Sequence, residues 1–412
     1  MKPYSTDDSN MPSRTKHLAA QKTLPWYKWL FAAALCASPM VSLPASAQSQ
    51  WTNSDAFQLA QGFSSEGVGL GTNELGNIIA AGSGSDASGN YAVTRQSSDL
   101  GQTWQPASTV SFAGTSGCRF NAVANHGPTL YAGGSASGPT WIITQSSDGG
   151  DNWQLSDSFQ SGACMALAVD SSGAAFATGQ KVVNGQLSFI IRKLSPGAAG
   201  WTTVYQSQVP SYPGYGIAIH PSAGVFVIGS LPQGTQYAWA VLRSIDEGNS
   251  WQVVDLNLPP RTPGTGSYGH GIAVDNLGNV YATGTVGNDW VTRRSTNGGT
   301  NWNTIDTFQY FAKFGKSEGA SVSFDYQGNV YVAGYGATSK QAAHWIVRKL
   351  PAGGSSWTIS DDFQLVSGAL TEPWIGQSSI LSANAGHLLL VTGDAFDSSS
   401  VQHWITRRLV VP

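Results

Sequence analysis

Short apolar runs separated by polar turns recur along the chain from about residue 50 to its end. Runs of this length bounded by Gly, Asn, Asp and Ser are typical of β-strands, and no helical period is present. Four kinds of run follow one another in a fixed order, for example GIAVD, NVYATG, WVTRR and WNTIDTF. The pattern predicts repeated units of four short antiparallel strands, which we name a to d in chain order.

A tryptophan marks each unit, at intervals of 53, 49, 48, 50, 51 and 55 residues. The recurring residues are Trp51, Trp104, Trp153, Trp201, Trp251, Trp302 and Trp357. From Trp104 onward each closes a polar turn between strands c and d, such as SSDGGDNW (146–153). Four antiparallel strands in roughly 50 residues form one blade of a β-propeller.

The two ends of the chain together supply one more blade. The C-terminal runs HLLLVTGD and HWITRRLVVP correspond to strands b and c of a unit without strand d, and QWTNSDAFQL (50–59) resembles strand d of other units. Six full units and this shared one predict an all-β, seven-bladed propeller. Closure by the N-terminal strand removes the open sheet edges.

The first 47 residues are expected to be a secretory signal peptide. A basic region ends at Lys28, the apolar run 29–37 follows, and Ala45-Ser46-Ala47 matches a signal-peptidase site. Met11 is an alternative start, and Leu35 before Cys36 argues against a lipoprotein signal. The expected domains are therefore the leader, 1–47, and a single propeller, 48–412, that is secreted or periplasmic.

Charge and composition exclude several classes of partner. The leader holds five basic and two acidic residues, so 16 basic and 22 acidic residues remain after it. A mildly acidic chain has no electrostatic reason to bind nucleic acid. No later segment is apolar for about 18 residues, so membrane insertion is not expected. No cofactor motif and no metal-ligand spacing is present, and we expect a monomer without a cofactor.

Two cysteines remain after the leader, Cys118 and Cys164. An even pair in an exported protein favours a disulfide, and two buried thiols are the alternative. Alignment of the blades places both residues near the same level of neighbouring blades, which favours the disulfide.

The c–d turns resemble the Asp box, S-x-D-x-G-x-T-W, of sialidase-type propellers. Asp99 and Asp148 match its acidic position, whereas Asn297, Pro196 and Ala352 depart from it. The motif implies propeller architecture, with Asp accepting backbone N–H bonds inside the turn and Trp packing between blades. It says little about activity, because propellers with this motif serve as enzymes, receptors and assembly factors.

The chain does not match the catalytic pattern of a typical sialidase. It lacks the Arg-Ile-Pro motif, and most arginines recur at one position near the end of strand c. These are Arg95, Arg192, Arg243, Arg293, Arg348 and Arg407. Because a functional site is asymmetric, we expect these arginines to be scaffold residues that cover aromatic side chains or pair with neighbouring turns.

Residues that break the repeat on strand a are the candidates for a site at one mouth of the channel. Alignment on the a–b turn places Glu66, Cys118, Tyr268, Glu318 and Gln377 at one position, and Phe120, Met165, Tyr215, His270 and Ser379 two residues later. Arg119 and Cys164 lie between these positions. His270 stands out because glycines flank it and are expected to leave room for a ligand.

Two kinds of catalysis suit these residues. His270 as general base, Tyr268 as proton donor and Arg119 as partner of a sugar carboxylate suit β-elimination on a uronic-acid polysaccharide. Glu66 and Glu318 as a carboxyl pair suit glycoside hydrolysis. Tyr215 and Gln377 are candidate substrate-binding residues in the same ring.

Three loops at the same end carry aromatic or basic residues, 259–268, 309–318 and 366–376, the last with Trp374. Exposed aromatic residues suit stacking on sugars or gripping a peptide. The sequence thus predicts an exported, carbohydrate-active propeller, either a polysaccharide lyase or a glycoside hydrolase. A propeller that binds carbohydrate or protein without catalysis, or an envelope assembly scaffold, is the alternative.

Overall fold

The computed structural model describes residues 51–105, 108–112, 117–258, 266–311, 315–339, 342–367 and 379–411. Within these ranges 28 strands form seven four-stranded antiparallel sheets, with one 3₁₀ turn at Asn384–Gly386. Strand a of each sheet contacts strand a of the next, and the sheets close into a ring. The predicted seven-bladed propeller is confirmed.

The blades are numbered in chain order. Blade 1 is β2 (Ser65–Thr72), β3 (Ile78–Asp86), β4 (Gly89–Ser97) and β5 (Ser108–Val110). Blade 2 is β6 (Cys118–His126), β7 (Thr129–Ala136), β8 (Thr140–Ser146) and β9 (Gln154–Gln160). Blade 3 is β10 (Gly162–Val169), β11 (Ala175–Val183), β12 (Gln186–Leu194) and β13 (Thr202–Gln206). Blade 4 is β14 (Tyr212–His220), β15 (Gly224–Gln233), β16 (Gln236–Ser244) and β17 (Gln252–Asn257).

The remaining strands form blades 5 to 7. Blade 5 is β18 (Ser267–Val274), β19 (Val280–Val286), β20 (Asp289–Ser295) and β21 (Asn303–Phe308). Blade 6 is β22 (Ser317–Phe324), β23 (Val330–Ser339), β24 (Ala342–Leu350) and β25 (Thr358–Phe363). Blade 7 is β26 (Ser379–Ala383), β27 (Leu388–Phe396), β28 (Gln402–Val410) and β1 (Trp51–Phe57).

The N-terminal strand closes the ring as predicted. Strand β1 pairs with β28 from Trp51↔Leu409 to Phe57↔Trp404. The Arg407 guanidinium adds a hydrogen bond to Asn53 Oδ1 (2.7 Å). Blade 7 therefore holds both ends of the described chain together through main-chain and side-chain bonds.

Apolar side chains fill each of the seven seams between blades. Strands b and c are buried on both faces, because each blade packs against two neighbours. Each of these seven clusters of buried residues combines side chains of two adjacent blades. Each recurring tryptophan packs at one seam: Trp51, for example, packs between blades 6 and 7, and Trp357 packs between blades 5 and 6. The predicted interblade role of tryptophan is confirmed.

The c–d turns are held by the hydrogen bonds that their sequence predicts. Asp99 Oδ1 accepts the N–H of Thr103 (2.8 Å), and Ser97 Oγ accepts the N–H of Gly101 (2.8 Å). Blades 2, 4 and 5 repeat this arrangement, with Asn297 taking the acidic position in blade 5. These turn residues act in the scaffold.

Five recurring arginines join neighbouring blades through aspartates on strand d, not through turns. The pairs are Asp55–Arg95, Asp157–Arg192, Asp255–Arg293, Asp306–Arg348 and Asp361–Arg407. Four of these guanidiniums also lie 4.1–5.4 Å from a phenylalanine ring, as expected of scaffold residues. Arg243 departs from the prediction, since Leu242 takes the equivalent register and Arg243 instead bonds Ala223 O (2.8 Å).

The predicted Cys118–Cys164 disulfide is wrong. Both cysteines are free and buried, Cys118 in the core between blades 1 and 2 and Cys164 in the core between blades 2 and 3. Cys118 pairs with Ala136, whereas Cys164 pairs with Gly179 at the level of Phe120 and Gly134. The two residues therefore differ by two positions in register and belong to separate cores.

A β-bulge on strand a determines which side chain enters the channel. Register shifts of one residue surround Val68, Asn121, Met165, His270 and Ala320. In blade 6 the preceding residue, Gly319, lies against the neighbouring blade, where a Cβ would be 2.0 Å from Thr283 Oγ1 and 2.4 Å from Trp290 Nε1. Glycine is required here by close packing between blades.

We expect Gly319→Ala to destabilise the propeller by about 1–3 kcal/mol, because the new methyl group must displace a buried indole. Urea unfolding monitored by tryptophan fluorescence measures the change. Gly200→Ala is the matched control, since a Cβ at Gly200 meets nothing within 4 Å. Equal stability of the two variants would contradict the packing argument.

Candidate functional site

One mouth of the channel is lined by a repeated pair of positions, one on strand a and its partner on strand b. Glu66 pairs with Ser83, Arg119 with Ser135, Tyr268 with Thr285, and Glu318 with Tyr335. Arg119, not Cys118, is the blade 2 residue at this position. The sequence alignment was wrong by one residue in blade 2, which reverses the face on which a side chain lies.

The first group of polar residues at this mouth, the His270 cluster, comprises His270, Glu318, Lys316, Tyr335 and Tyr215. His270 Nε2 lies 3.3 Å from Glu318 Oε1, and Lys316 Nζ lies 2.9 Å from Glu318 Oε2. The Tyr335 hydroxyl donates to Glu318 Oε2 (3.4 Å), and the Tyr215 ring centroid is 5.1 Å from that of His270. One carboxylate thus holds an imidazole and an ammonium group together.

Burial and charge set the protonation states in the His270 cluster. Burial lowers the pKa of His270, against the opposing effect of Glu318, so the imidazole is neutral at neutral pH. Burial opposes ionisation of Glu318, but His270 and Lys316 outweigh it and lower its pKa. Burial raises the pKa of Tyr215 and of Tyr268 to about 12, so both hydroxyls stay protonated.

The sequence suggested that the glycines around His270 open space for a ligand. The structure shows that they do not. A Cβ at Gly269 would lie 2.5 Å from Ile228 Cγ1, and one at Gly271 would lie 2.6 Å from the Ala320 carbonyl oxygen. These glycines allow blades 4 and 6 to approach blade 5. The ligand-accessible side of His270 therefore faces the channel, whose lining includes His270, Tyr215 and Met165 around a volume of about 240 Å³.

The second group, the Glu66 cluster, comprises Glu66, Arg119, Asp394 and Gln402 on blades 1, 2 and 7. Arg119 Nη2 lies 3.2 Å from Glu66 Oε1. Gln402 Nε2 donates to Asp394 Oδ2 (2.7 Å). Burial and the nearby Glu66 carboxylate together raise the pKa of Asp394 to about 7, against the opposing effects of Gln402 and Arg119.

Asp394 was missed by the sequence analysis. It occupies the strand b position of blade 7, where other blades have Ser83, Ser135, Thr285 or Tyr335. An acidic residue at a position that is neutral in these blades is a signal that the sequence contained. The repeat-breaking residues predicted from the sequence lie on strand a, whereas Asp394 lies on strand b.

A polar cavity of about 360 Å³ adjoins the Glu66 cluster, between blades 1 and 2. Its wall includes Glu66, Arg119 and Gln402 together with Asn90 and six serines. The serines are Ser64, Ser65, Ser83, Ser85, Ser135 and Ser137. Since Glu66 and Arg119 offset each other in charge, hydrogen-bonding groups dominate this cavity.

The structure thus divides the predicted site residues between two clusters. His270, Glu318, Tyr268 and Tyr215 lie together on blades 4 to 6, with Lys316 as a charged partner that the prediction did not assign a role. Glu66 and Arg119 lie in the other cluster. Trp374 and Gln377 are outside the described residues, as are parts of the three predicted ligand loops.

Other titratable groups serve local structure. His220 Nδ1 accepts the N–H groups of Ser222 (3.3 Å) and Ala223 (3.2 Å), as expected of a turn residue. His344 Nδ1 lies 2.6 Å from Asp362 Oδ1, and the Tyr310 hydroxyl donates to Asp362 Oδ2 (2.7 Å). In the described ranges no group of three or more His, Cys, Asp or Glu could hold a metal ion. The same residues contain no helix that could cross a membrane.

Comparisons with known proteins agree with the propeller architecture. The family model of a β-propeller repeat, SBBP, matches residues 262–285. No curated protein matches the chain. Among solved structures, "YCF48 bound to D1 peptide" is similar with a TM-score of 0.54 and 14% identity, over 88% of this chain and 97% of that one.

A second solved structure is a protein of unknown function from Dyadobacter fermentans, with a TM-score of 0.49, 13% identity, and coverage of 88% of this chain and 100% of that one. At such identities, the likeness to YCF48 shows the fold alone. The chain is therefore a β-propeller, and its function must be argued from its own side chains.

Proposed function

We propose that this protein is a carbohydrate-active propeller that cleaves a uronic-acid polysaccharide by β-elimination at the His270 cluster. The observation that carries the proposal is the contact of the His270 imidazole and the Lys316 ammonium with one carboxylate, that of Glu318. The predicted leader, which would place the protein outside the cytosol, suits an extracellular polysaccharide. The proposal includes the resemblance to Asp-box propellers, which the hydrogen bonds inside the c–d turns support.

Three residues have defined roles in the proposed reaction: Lys316 and His270 of the cluster, and Tyr268, which lies two residues before His270 on β18. Lys316 is half exposed, and Glu318 and Tyr335 engage two of its three N–H donors, so one donor remains to bind the uronate carboxylate. His270 removes the proton on the carbon next to that carboxylate, and the electron pair forms a C=C bond as the glycosidic C–O bond breaks. Tyr268 donates its proton to the departing sugar oxygen.

Hydrolysis by Glu66 and Glu318 is less well supported by this arrangement. The two carboxylates lie on blades 1 and 6, with blade 7 between them, and each is ion-paired within its own cluster. Paired carboxyl groups must flank one glycosidic bond to cleave it. Arg119 belongs to the Glu66 cluster, whereas Lys316 belongs to the His270 cluster. We therefore propose Lys316 in place of Arg119 as the partner of the uronate carboxylate.

Purified protein incubated with polygalacturonate, alginate, hyaluronan and chondroitin tests the proposal, with ultraviolet absorbance and reducing ends measured together. Elimination raises both signals, whereas hydrolysis raises reducing ends alone. We expect His270→Ala and Tyr268→Phe to lower turnover by about 10²–10⁴-fold. His126→Ala, an exposed histidine in an a–b turn, is the control. Unchanged turnover in His270→Ala would overturn the assignment.

Non-catalytic peptide binding is the second candidate, and one comparison favours it. YCF48, whose propeller fold resembles this one, was solved with a bound peptide. The tyrosines around the His270 cluster are suited to a peptide as well as to a sugar, because Tyr combines a large apolar face with a hydroxyl. Saturable peptide binding without any turnover of the four polysaccharides would favour this second function. An assembly scaffold is one form of it.

A further inference from the structure

We infer that the polar cavity between blades 1 and 2 is a second binding site, which takes a neutral sugar unit. This site is distinct from the His270 cluster and needs no cleavage there. Its ligand class follows from how the cavity arises, from the groups on its wall and from its charge.

Small residues on strand b of blades 1 and 2 line the cavity. Ser83 and Ser135 occupy the strand b position at which blade 6 carries Tyr335 and blade 3 carries Gln180. The cavity volume of about 360 Å³ is within the usual range of small-molecule sites.

The wall offers hydrogen bonds of the kind that sugar hydroxyls need. A serine hydroxyl has one donor and two acceptor sites, so it retains capacity even when one is used. Ser137 Oγ, for example, donates to Gly117 O (3.1 Å) and can still accept. Asn90 adds an amide that carries both donors and an acceptor. A polyol can satisfy many such groups at once, whereas an apolar ligand would leave them unpaired.

The charge of the cavity argues against an ionic ligand. Glu66 and Arg119 are 3.2 Å apart and compensate each other. The raised pKa of Asp394 keeps much of that carboxyl protonated near neutral pH. An anion would have to compete with Glu66 for Arg119, and a cation would have to compete with Arg119 for Glu66. A neutral sugar disrupts neither partner.

Isothermal titration with D-glucose, D-galactose, N-acetyl-D-glucosamine and β-1,4-linked tetramers of glucose and N-acetylglucosamine tests this site. We expect saturable binding of at least one of them, weakened at least tenfold by Ser135→Leu, whose side chain fills the cavity. Asn90→Ala, which adds no bulk to the fold, is expected to weaken it several-fold. Ser172→Leu is the matched control, because Leu75 and Leu277 occupy the equivalent turn position in blades 1 and 5.

The outcomes separate this inference from the proposed function. Binding that His270→Ala leaves unchanged and Ser135→Leu removes supports the second site, whether or not any polysaccharide is cleaved. Absence of binding for all five saccharides overturns it. Equal binding by wild type, Asn90→Ala and Ser135→Leu, with unchanged melting temperatures, also overturns it, even if elimination at the His270 cluster is observed.

Discussion

Replacing Asp361 by Ala is expected to lower the free energy of unfolding by about 3–5 kcal/mol. Asp361 and Arg407 are 3% and 8% exposed, and the guanidinium bonds both carboxylate oxygens across the seam of blades 6 and 7. The alanine variant would leave a buried guanidinium without its counterion. The loss is made larger by the position of Arg407, which also bonds Asn53 on the strand that closes the ring.

The same pair is expected to contribute little compared with an apolar replacement of both residues. Burial raises the pKa of Asp361 above its usual range even though Arg407 opposes the shift, which shows that desolvation of this pair is costly. The seam between blades 3 and 4 has Leu242 at the arginine position and is fully packed. We therefore expect Asp361→Leu/Arg407→Leu to recover most of the stability lost in Asp361→Ala.

Urea unfolding of wild type, Asp361→Leu, Arg407→Leu and the double variant gives the coupling free energy between the two positions, and Asp361→Ala is measured beside them. Asp157→Ala, at a seam that the N-terminal strand does not join, is the comparison for closure of the ring. A loss below 1 kcal/mol in Asp361→Ala would show that water enters the seam and replaces the carboxylate.

The sequence was sufficient to predict the architecture because propeller information is repeated. Tryptophans at nearly constant intervals predict the same four-stranded unit many times over. The segment at the N-terminus that resembles strand d predicts the closure of the ring. A mistake in one blade does not change the fold. The pairing of β1 with β28 followed from the likeness of two short segments alone.

The site could be predicted only in part, because it depends on single residues and on exact register. The a–b connection of blade 2 is one residue shorter than that of blade 5, with an interval of nine residues from Asn121 to Leu130 against ten from His270 to Val280. Alignment on this turn therefore displaced blade 2 by one residue, which exchanged Cys118 for Arg119 and led to the incorrect disulfide. The partners of Glu66 and Glu318 are on neighbouring blades, so no local spacing indicates them. Arg119 for Glu66 and Lys316 for Glu318 became apparent only from the positions of the side chains.

The protonation of Asp394 leads to the second large prediction, that Asp394→Asn stabilises the protein at pH 8. The pKa of Asp394 is about 7 in the folded protein, whereas an exposed Asp in the unfolded chain keeps its usual value near 3.8. Below about pH 3 the carboxyl is protonated in both states and has no effect. As the pH rises from 4 to 7 the unfolded chain releases the proton first, so the stability of the folded protein falls across this window.

Asparagine cannot ionise, and its side-chain oxygen can still accept the hydrogen bond of Gln402. The variant should therefore nearly match the wild type at pH 4 and exceed it by on the order of 4 kcal/mol at pH 8, where almost the full cost of the charged, buried carboxylate applies. Thermal and urea unfolding at pH 4, 6 and 8 measure the difference. Glu74→Asn, in an exposed turn, is the control.

A gain in stability that grows with pH would mean that the native residue weakens the fold at neutral pH. Functional groups are often retained at a cost in stability. We would then infer that Asp394 is kept for a role beside the polar cavity between blades 1 and 2 and not for folding. A difference between Asp394→Asn and wild type that stays constant from pH 4 to pH 8 would contradict the raised pKa. Asp394 would then be ionised at neutral pH and would place a second negative charge beside the polar cavity.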